Sequence, residues 1–137
     1  MNEENKQLYG LLGRGIDYSF SRAYFSEKFK GEKLLHCSYE NFDLPNLNDF
    51  KETLQTPHLR GMNVTIPYKQ EVMAFLDDLD EVSKAIGAVN TIVFEKNGTT
   101  KGYNSDHIGF SESIMPLLHE QVTDALILGT GGASKAI

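Results

Sequence analysis

Short apolar runs ended by glycine or proline alternate along this chain with stretches of helical spacing, and no other feature constrains the fold as much. Leu8 to Leu12, stopped by Gly13 and Gly15, reads as a buried strand. Ser21 to Lys30 reads as a helix, with Tyr24, Phe25 and Phe29 at helical spacing and Gly31 as its stop. The same reading gives a strand over Lys33 to Tyr39, a helix over Leu47 to Leu54 opened by Asn46 or Asn48, and a strand over Arg60 to Ile66. Helices follow over Tyr68 to Leu76 and Asp80 to Ile86, the second closed by Gly87. Ala88 to Glu95 and Thr99 to Tyr103 flank Asn97-Gly98, a strong hairpin signal. A helix over Asp106 to Leu118 offers Ile108, Ile114, Met115 and Leu118 for burial, and Ala125 to Leu128 reads as a last buried strand. Strands alternating with helices predict an α/β fold with a mostly parallel sheet, made mixed by the hairpin. In such folds ligands collect where loops leave the carboxyl ends of strands.

Several function classes drop out on composition. The chain has 137 residues, room for one domain and little more. Its net charge of −6 disfavours a general nucleic-acid or anionic-membrane surface. No apolar run approaches the ~18 residues of a membrane span. The amino-terminal MNEENKQLYG is acidic and polar, unlike a secretory signal. One cysteine, Cys37, cannot form an internal disulfide, so a reducing cytoplasm is the expected location. No metal is expected, since His36, His58, His107 and His119 have no ligand spacing with Cys37 or one another. Within LLHCSY, Cys37 reads as a small buried hydrophobe.

Five groups of residues could carry chemistry. Ser19 and Ser21, on either side of Phe20, sit before a helix. They either cap it or form a site for a carboxylate or phosphate. Lys69 lies in NVTIPYK, where Pro67 suits the first helical position. A cation in that first turn opposes the helix dipole by ~0.3–1 kcal/mol, so Lys69 is either simply solvated or awaits an anionic partner. Asp106, after Asn104 and Ser105, either caps a helix or pairs with Lys69 as an acid–base couple. Asn90, in GAVNT, could be only a turn residue. Finally, the apolar ALIL runs into Gly129, Thr130, Gly131, Gly132, Ala133 and Ser134. Such a turn lets backbone approach a pyrophosphate, although the third glycine position of a dinucleotide fingerprint holds Ser134. A P-loop does not fit, because Ser134-Lys135-Ala136 lacks both its glycine and its magnesium-binding hydroxyl.

Taken in order, these pieces resemble shikimate dehydrogenase. Ser19-Phe20-Ser21 resembles the family's SxS carboxylate clamp, and NVTIPYK, residues 63–69, its N-[VF]-T-x-P-x-K segment. GAVNT, residues 87–91, and GYNSD, residues 102–106, resemble two further family motifs, and LGTGGASKA its dinucleotide loop. The resemblance implies a three-layer domain whose mostly parallel mixed sheet is flanked by helices, followed by the first strand of a Rossmann domain. It divides the chain into a substrate-binding domain over 1–105, a connecting helix over 106–123, and a truncated NADP-binding domain over 124–137. It implies NADPH-dependent, reversible reduction of 3-dehydroshikimate to shikimate in aromatic amino-acid biosynthesis. Ser19 and Ser21 would bind the carboxylate, Thr65, Asn90 and Asp106 the ring hydroxyls, and Lys69 and Asp106 would work in proton transfer. Gly129, Gly131, Gly132, Ala133 and Ser134 would bind the cofactor.

The pattern departs from the family at three points near the site. Tyr18 stands where a histidine is usual, Arg22 where a proline is usual, and Ser105 where a threonine is usual. The first two could shift preference toward a related acid such as quinate. Because the sequence stops just inside the second domain, the 137 residues alone are expected to be inactive. Two readings of other classes stand beside the enzyme: a non-catalytic module that binds a small hydroxy acid, and a self-associating domain that pairs through apolar surface as a homodimer.

Overall fold

A computed structural model describes residues 5–118 and 122–137. Ten elements follow one another: β1 (Gln7–Gly13), α1 (Ser21–Gly31), β2 (Cys37–Asp43), α2 (Phe50–Thr53), β3 (Leu59–Val64), β4 (Asp78–Leu79), α3 (Glu81–Ile86), β5 (Thr91–Phe94), β6 (Thr100–Tyr103) and α4 (Asp106–Ile114). The strands form one sheet in the order β2-β1-β3-β5-β6-β4. β1 pairs in parallel with β2 and β3, and β4 with β6, whereas β5 is antiparallel to both β3 and β6. This is the mixed, mostly parallel α/β sheet that the alternation predicts.

The period-two geometry of β1 separates two cores. Leu12 enters a large cluster with Phe50, Met62, Val64, Tyr68, Val72 and Ile92. Its neighbour Leu11 points to the opposite face and packs with Ile16 and Tyr39. There, α1 contributes Phe25 and Phe29, one helical turn apart, and Phe25 stacks on Tyr39 with ring centroids 4.6 Å apart. The sheet is therefore the middle of three layers.

The hairpin is present. Asn97 Oδ1 accepts from the Thr99 N–H and hydroxyl, and Gly98 takes a φ of 87°, which a side chain would resist. Other boundaries differ from the expectation. β2 lies at Cys37–Asp43 instead of 33–39, because pairing with β1 from Gln7↔Cys37 to Gly13↔Asp43 sets its register while Leu35 stays exposed. The helix expected over 47–54 shrinks to one turn, since Asn46 Oδ1 takes the Asn48 N–H in a local turn. The helix expected over 68–76 is a turn through residues 66–70 followed by a 3-10 helix, Glu71–Phe75. The Lys69 carbonyl, which an α-helix would turn to residue 73, instead accepts the Val89 N–H at 2.7 Å. α4 gives way at Pro116 to a 3-10 turn, Met115–Leu117. β4 escapes the sequence reading because two residues carry no period. It packs where Gly102 has no side chain, a Cβ there falling 2.7 Å from both Leu79 and Val89.

Residues 125–128 are not a paired strand. No described strand lies alongside them, and Leu126 and Leu128 are more than four-fifths exposed. A strand exists through its ladder, so an apolar run without a neighbour forms none. No helix among the described residues is long and apolar enough to cross a membrane.

Candidate functional site

The sheet brings the chemistry-bearing residues to one edge. β1, β2, β3 and β6 run the same way, so the segments after them leave the same end of the sheet. Ser19 and Ser21 follow β1, Thr65 and Lys69 follow β3, and Asp106 follows β6. Asn90 precedes β5, the strand that runs the other way, and so arrives at the same edge.

Ser19, Ser21 and Thr65 line a cavity of about 240 Å³ floored by Leu11 and Ile16. Tyr18 and Phe20 form an exposed aromatic rim. The Ser19 hydroxyl donates to Ser21 Oγ at 3.2 Å, and the Ser21 N–H points back at Ser19 Oγ at 3.3 Å. Phe20, not a serine, occupies the N-cap position of α1, and no side chain caps the helix. The two hydroxyls are thus held close to each other at an open pocket.

The second grouping is dense. Lys69 Nζ lies 2.5 Å from Asp106 Oδ2, and the Lys69 side chain is only 14% exposed against 33% for Asp106. The other Asp106 oxygen accepts from Asn90 Nδ2 at 2.8 Å. The Asn90 amide is fully engaged. Its nitrogen also donates to Ser105 Oγ, and its oxygen accepts from the Ser105 N–H and the Thr91 hydroxyl. Two donors and two lone pairs are all that an amide side chain offers, so this bonding fixes which way Asn90 faces. The carboxylate of Asp106 is thereby held at both oxygens.

Two expectations about these residues change. Lys69 sits in a turn and not in the first turn of a helix, so the dipole argument for an anionic partner does not apply; the partner, Asp106, is nevertheless there. Ser105, not Asp106, holds the N-cap position of α4. Asp106 is the first helical residue, its N–H bonded to Asn104 Oδ1, and buried Asn104 donates to the Ala88 carbonyl. Thr91 enters the sequence expectations only as the last residue of GAVNT, with no role of its own. Its only sequence signal is a hydroxyl directly after Asn90 at the start of a strand.

The glycine turn approaches the lysine. A Cβ at Gly132 would fall 2.7 Å from Lys69 Cβ and 3.2 Å from Ala88 Cβ, so only glycine allows this contact. Gly129 has a φ of 119°, and Ser134 Oγ donates to the Gly131 carbonyl. Ala133 leads into a single 3-10 turn, Ser134–Ala136. Among the described residues no three histidine, cysteine or acidic side chains are grouped to hold a metal ion; His119 lies outside the described residues.

An open hydroxyl-lined pocket and a lysine–carboxylate pair at the carboxyl ends of its strands suit this α/β domain to holding a small polar molecule. Residues 11–92 match the family model for the shikimate dehydrogenase substrate binding domain, and the chain belongs to that family. It is 39% identical over 132 residues to a shikimate dehydrogenase (NADP(+)) of Methanosphaera stadtmanae, an alignment covering 93% of this chain and 45% of that protein. The solved shikimate dehydrogenase of Aquifex aeolicus superposes with a TM-score of 0.83 at 37% identity, covering 100% of this chain and 52% of the other. A shikimate 5-dehydrogenase from Thermus thermophilus, solved with NADP(H) and shikimate, gives a TM-score of 0.78 at 32% identity over 96% of this chain and 50% of that one. The chain spans about half the length of the curated relatives it matches.

Proposed function

We propose that this chain is the substrate-binding part of an NADP-dependent shikimate dehydrogenase, the enzyme that interconverts 3-dehydroshikimate and shikimate. The observation that carries the reading is the 2.5 Å pair of Lys69 and Asp106, held from behind by Asn90. Ser19 and Ser21 take the substrate carboxylate in the 240 Å³ pocket, where their hydroxyls can turn from each other to a ligand. Thr65, on the same pocket wall, and Asp106 bind ring hydroxyls. Asn90 contributes there by exchanging one of its four internal bonds for the substrate.

In the reducing direction the Lys69 ammonium gives a proton to the oxygen that changes from carbonyl to alcohol, and Asp106 keeps that ammonium in place. In the oxidising direction the same lysine takes the proton back. Residues 129 to 134 have a composition and a contact with Lys69 that fit a dinucleotide loop; Gly129, Gly131, Gly132, Ala133 and Ser134 would hold NADP(H). That cofactor, when bound, supplies or accepts the hydride. On this reading residues 1–105 are the substrate domain, 106–123 the connection and 124–137 the beginning of the cofactor domain. A free, half-buried Cys37 is in keeping with work in the cytoplasm. The exposed Leu126, Leu128 and Ile137 are apolar surface through which two copies could pair.

The test is shikimate-dependent reduction of NADP⁺ by the full-length protein. Turnover that disappears in Lys69→Ala supports the assignment, and turnover that survives it removes Lys69 from the chemistry.

A further inference from the structure

The serine clamp is held from a place remote in sequence. Asp43, the last residue of β2, faces the loop between β1 and α1. Its Oδ1 accepts the Gly15 N–H at 2.8 Å, and its Oδ2 accepts the Ile16 N–H at 3.0 Å. Two charge-assisted bonds to successive backbone donors fix a loop more firmly than neutral ones would. The next link is short. The Ile16 carbonyl accepts the Ser19 N–H at 2.9 Å, and Ser19 Oγ meets Ser21 at 3.2 Å. Hydrogen bonds therefore run from a carboxylate on the sheet edge, through one residue, to the backbone N–H of the first clamp serine.

The loop needs such a tie. It turns at Gly15 with a φ of 63° and then plunges Ile16, fully buried, into the smaller core. Ile16 anchors the middle of the loop, but a buried side chain does not by itself orient the peptide planes on either side of it. Asp43 does so. It is itself exposed and belongs to neither apolar core, so its removal leaves the packing intact. Register keeps it in place: Gly13 pairs with Asp43, and the Leu44 N–H donates to the Gly13 carbonyl at 3.0 Å.

We infer that Asp43 is a positioning residue for substrate-carboxylate binding, acting through Ile16 on the orientation of Ser19. The inference rests on the clamp assignment given above. It differs from a general stabilising role in what it changes: affinity for the carboxylate, not the proton transfer at Lys69.

The experiment measures steady-state shikimate oxidation by the full-length enzyme, with thermal melting of each variant. Asp43→Ala should raise the KM for shikimate about tenfold while kcat stays within about twofold, because binding is lost and the transition-state proton transfer is not. Asp43→Asn, which keeps one acceptor, should fall between the two. On a Ser19→Ala background Asp43→Ala should add nothing, since a residue that acts only through Ser19 is not additive with it. An unchanged KM in Asp43→Ala, or effects of the two substitutions that multiply, overturns the role of Asp43. A matched loss of kcat and melting temperature overturns it as well, in favour of plain stabilisation. The clamp reading fails separately: there Ser19→Ala keeps the parent KM, or the parent does not oxidise shikimate at all, and Asp43 loses its role with it.

Discussion

The two halves of the candidate site are built differently. Around Lys69 and Asp106 nearly every polar atom has a partner within the protein: Asn90 alone makes bonds to Thr91, Ser105 and Asp106. Around Ser19 and Ser21 the hydroxyls bond only weakly to each other, at 3.2 Å, in a pocket with an exposed rim. A proton-transfer pair benefits from being held before the ligand arrives, because reorganisation at the moment of reaction raises the barrier. A carboxylate-binding pair must instead have donors free to turn, since a fully satisfied donor gives a ligand no net gain. On the proposed function the contrast would separate chemistry from recognition, and substitutions on each side should then separate kcat from KM.

The largest effect is expected at Lys69. Lys69→Ala should lower kcat by about 10²–10⁴-fold, the usual worth of a positioned general acid, with KM for shikimate changed far less. Stopped-flow or steady-state NADPH formation reads it, and a dominant change in KM would erase the contrast. Next comes the support behind the pair. Asn90→Ala frees one oxygen of Asp106 and should cost roughly 10–100-fold in kcat. If only KM moves, Asn90 serves substrate binding alone and its support of Asp106 is removed. On the recognition side, the double substitution of Ser19 and Ser21 by alanine should raise KM about 10–100-fold, the loss of two hydrogen bonds to a charged group, and leave kcat near its parent value. A matching fall in kcat would mean that the two regions are not separable.

The smallest effect lies outside both regions and serves as a control. Thr100 donates its N–H and its hydroxyl to Asp77 Oδ2 at 2.7 and 2.9 Å, which holds the Asp77 carboxyl below its ordinary value. A lowered folded value means stability that is fully present above the unfolded pKa, about 3.9, and is lost as pH falls through the lower folded value. Thr100→Val removes the hydroxyl and keeps the N–H, so urea midpoints should fall less steeply in the variant as pH drops below about 4. Shikimate kinetics at neutral pH should not change. A shift in kcat there would show that the β4–β6 edge reaches the site after all.

Much of this molecule is legible in its sequence, for reasons that differ from element to element. β1, β3 and the hairpin carry local signals: apolar runs with glycine or proline stops, and an Asn-Gly turn that few other structures tolerate. β2 is misplaced by local reading because Leu34 and Leu35 look like a strand start, whereas the ladder with β1 begins at Cys37. The turn around Lys69 looks like a helix because its competitor, the N–H of Val89, lies twenty residues away in sequence. Residues 125–128 look apolar enough for a strand, but a strand needs a neighbour to pair with. Among the candidate site residues, Ser19, Ser21, Thr65, Lys69, Asn90 and Asp106 stand out through motif spacing. Asp43 and Thr91 do not, because their importance lies in which backbone or amide they face.

The sequence by itself determined the α/β class and the hairpin, and it supplied the candidate groups proposed to handle a proton and a carboxylate. These follow from local backbone preference and side-chain chemistry, which each residue carries with it. The tertiary structure alone decided that Lys69 meets Asp106 at 2.5 Å, that one bond of the engaged Asn90 amide reaches Asp106, and that Asp43 reaches the loop before Ser19 across the sheet edge. Those contacts join residues 16 to 37 positions apart in sequence, and no local preference encodes them. They exist because strands running the same way deliver distant segments of the chain to one edge.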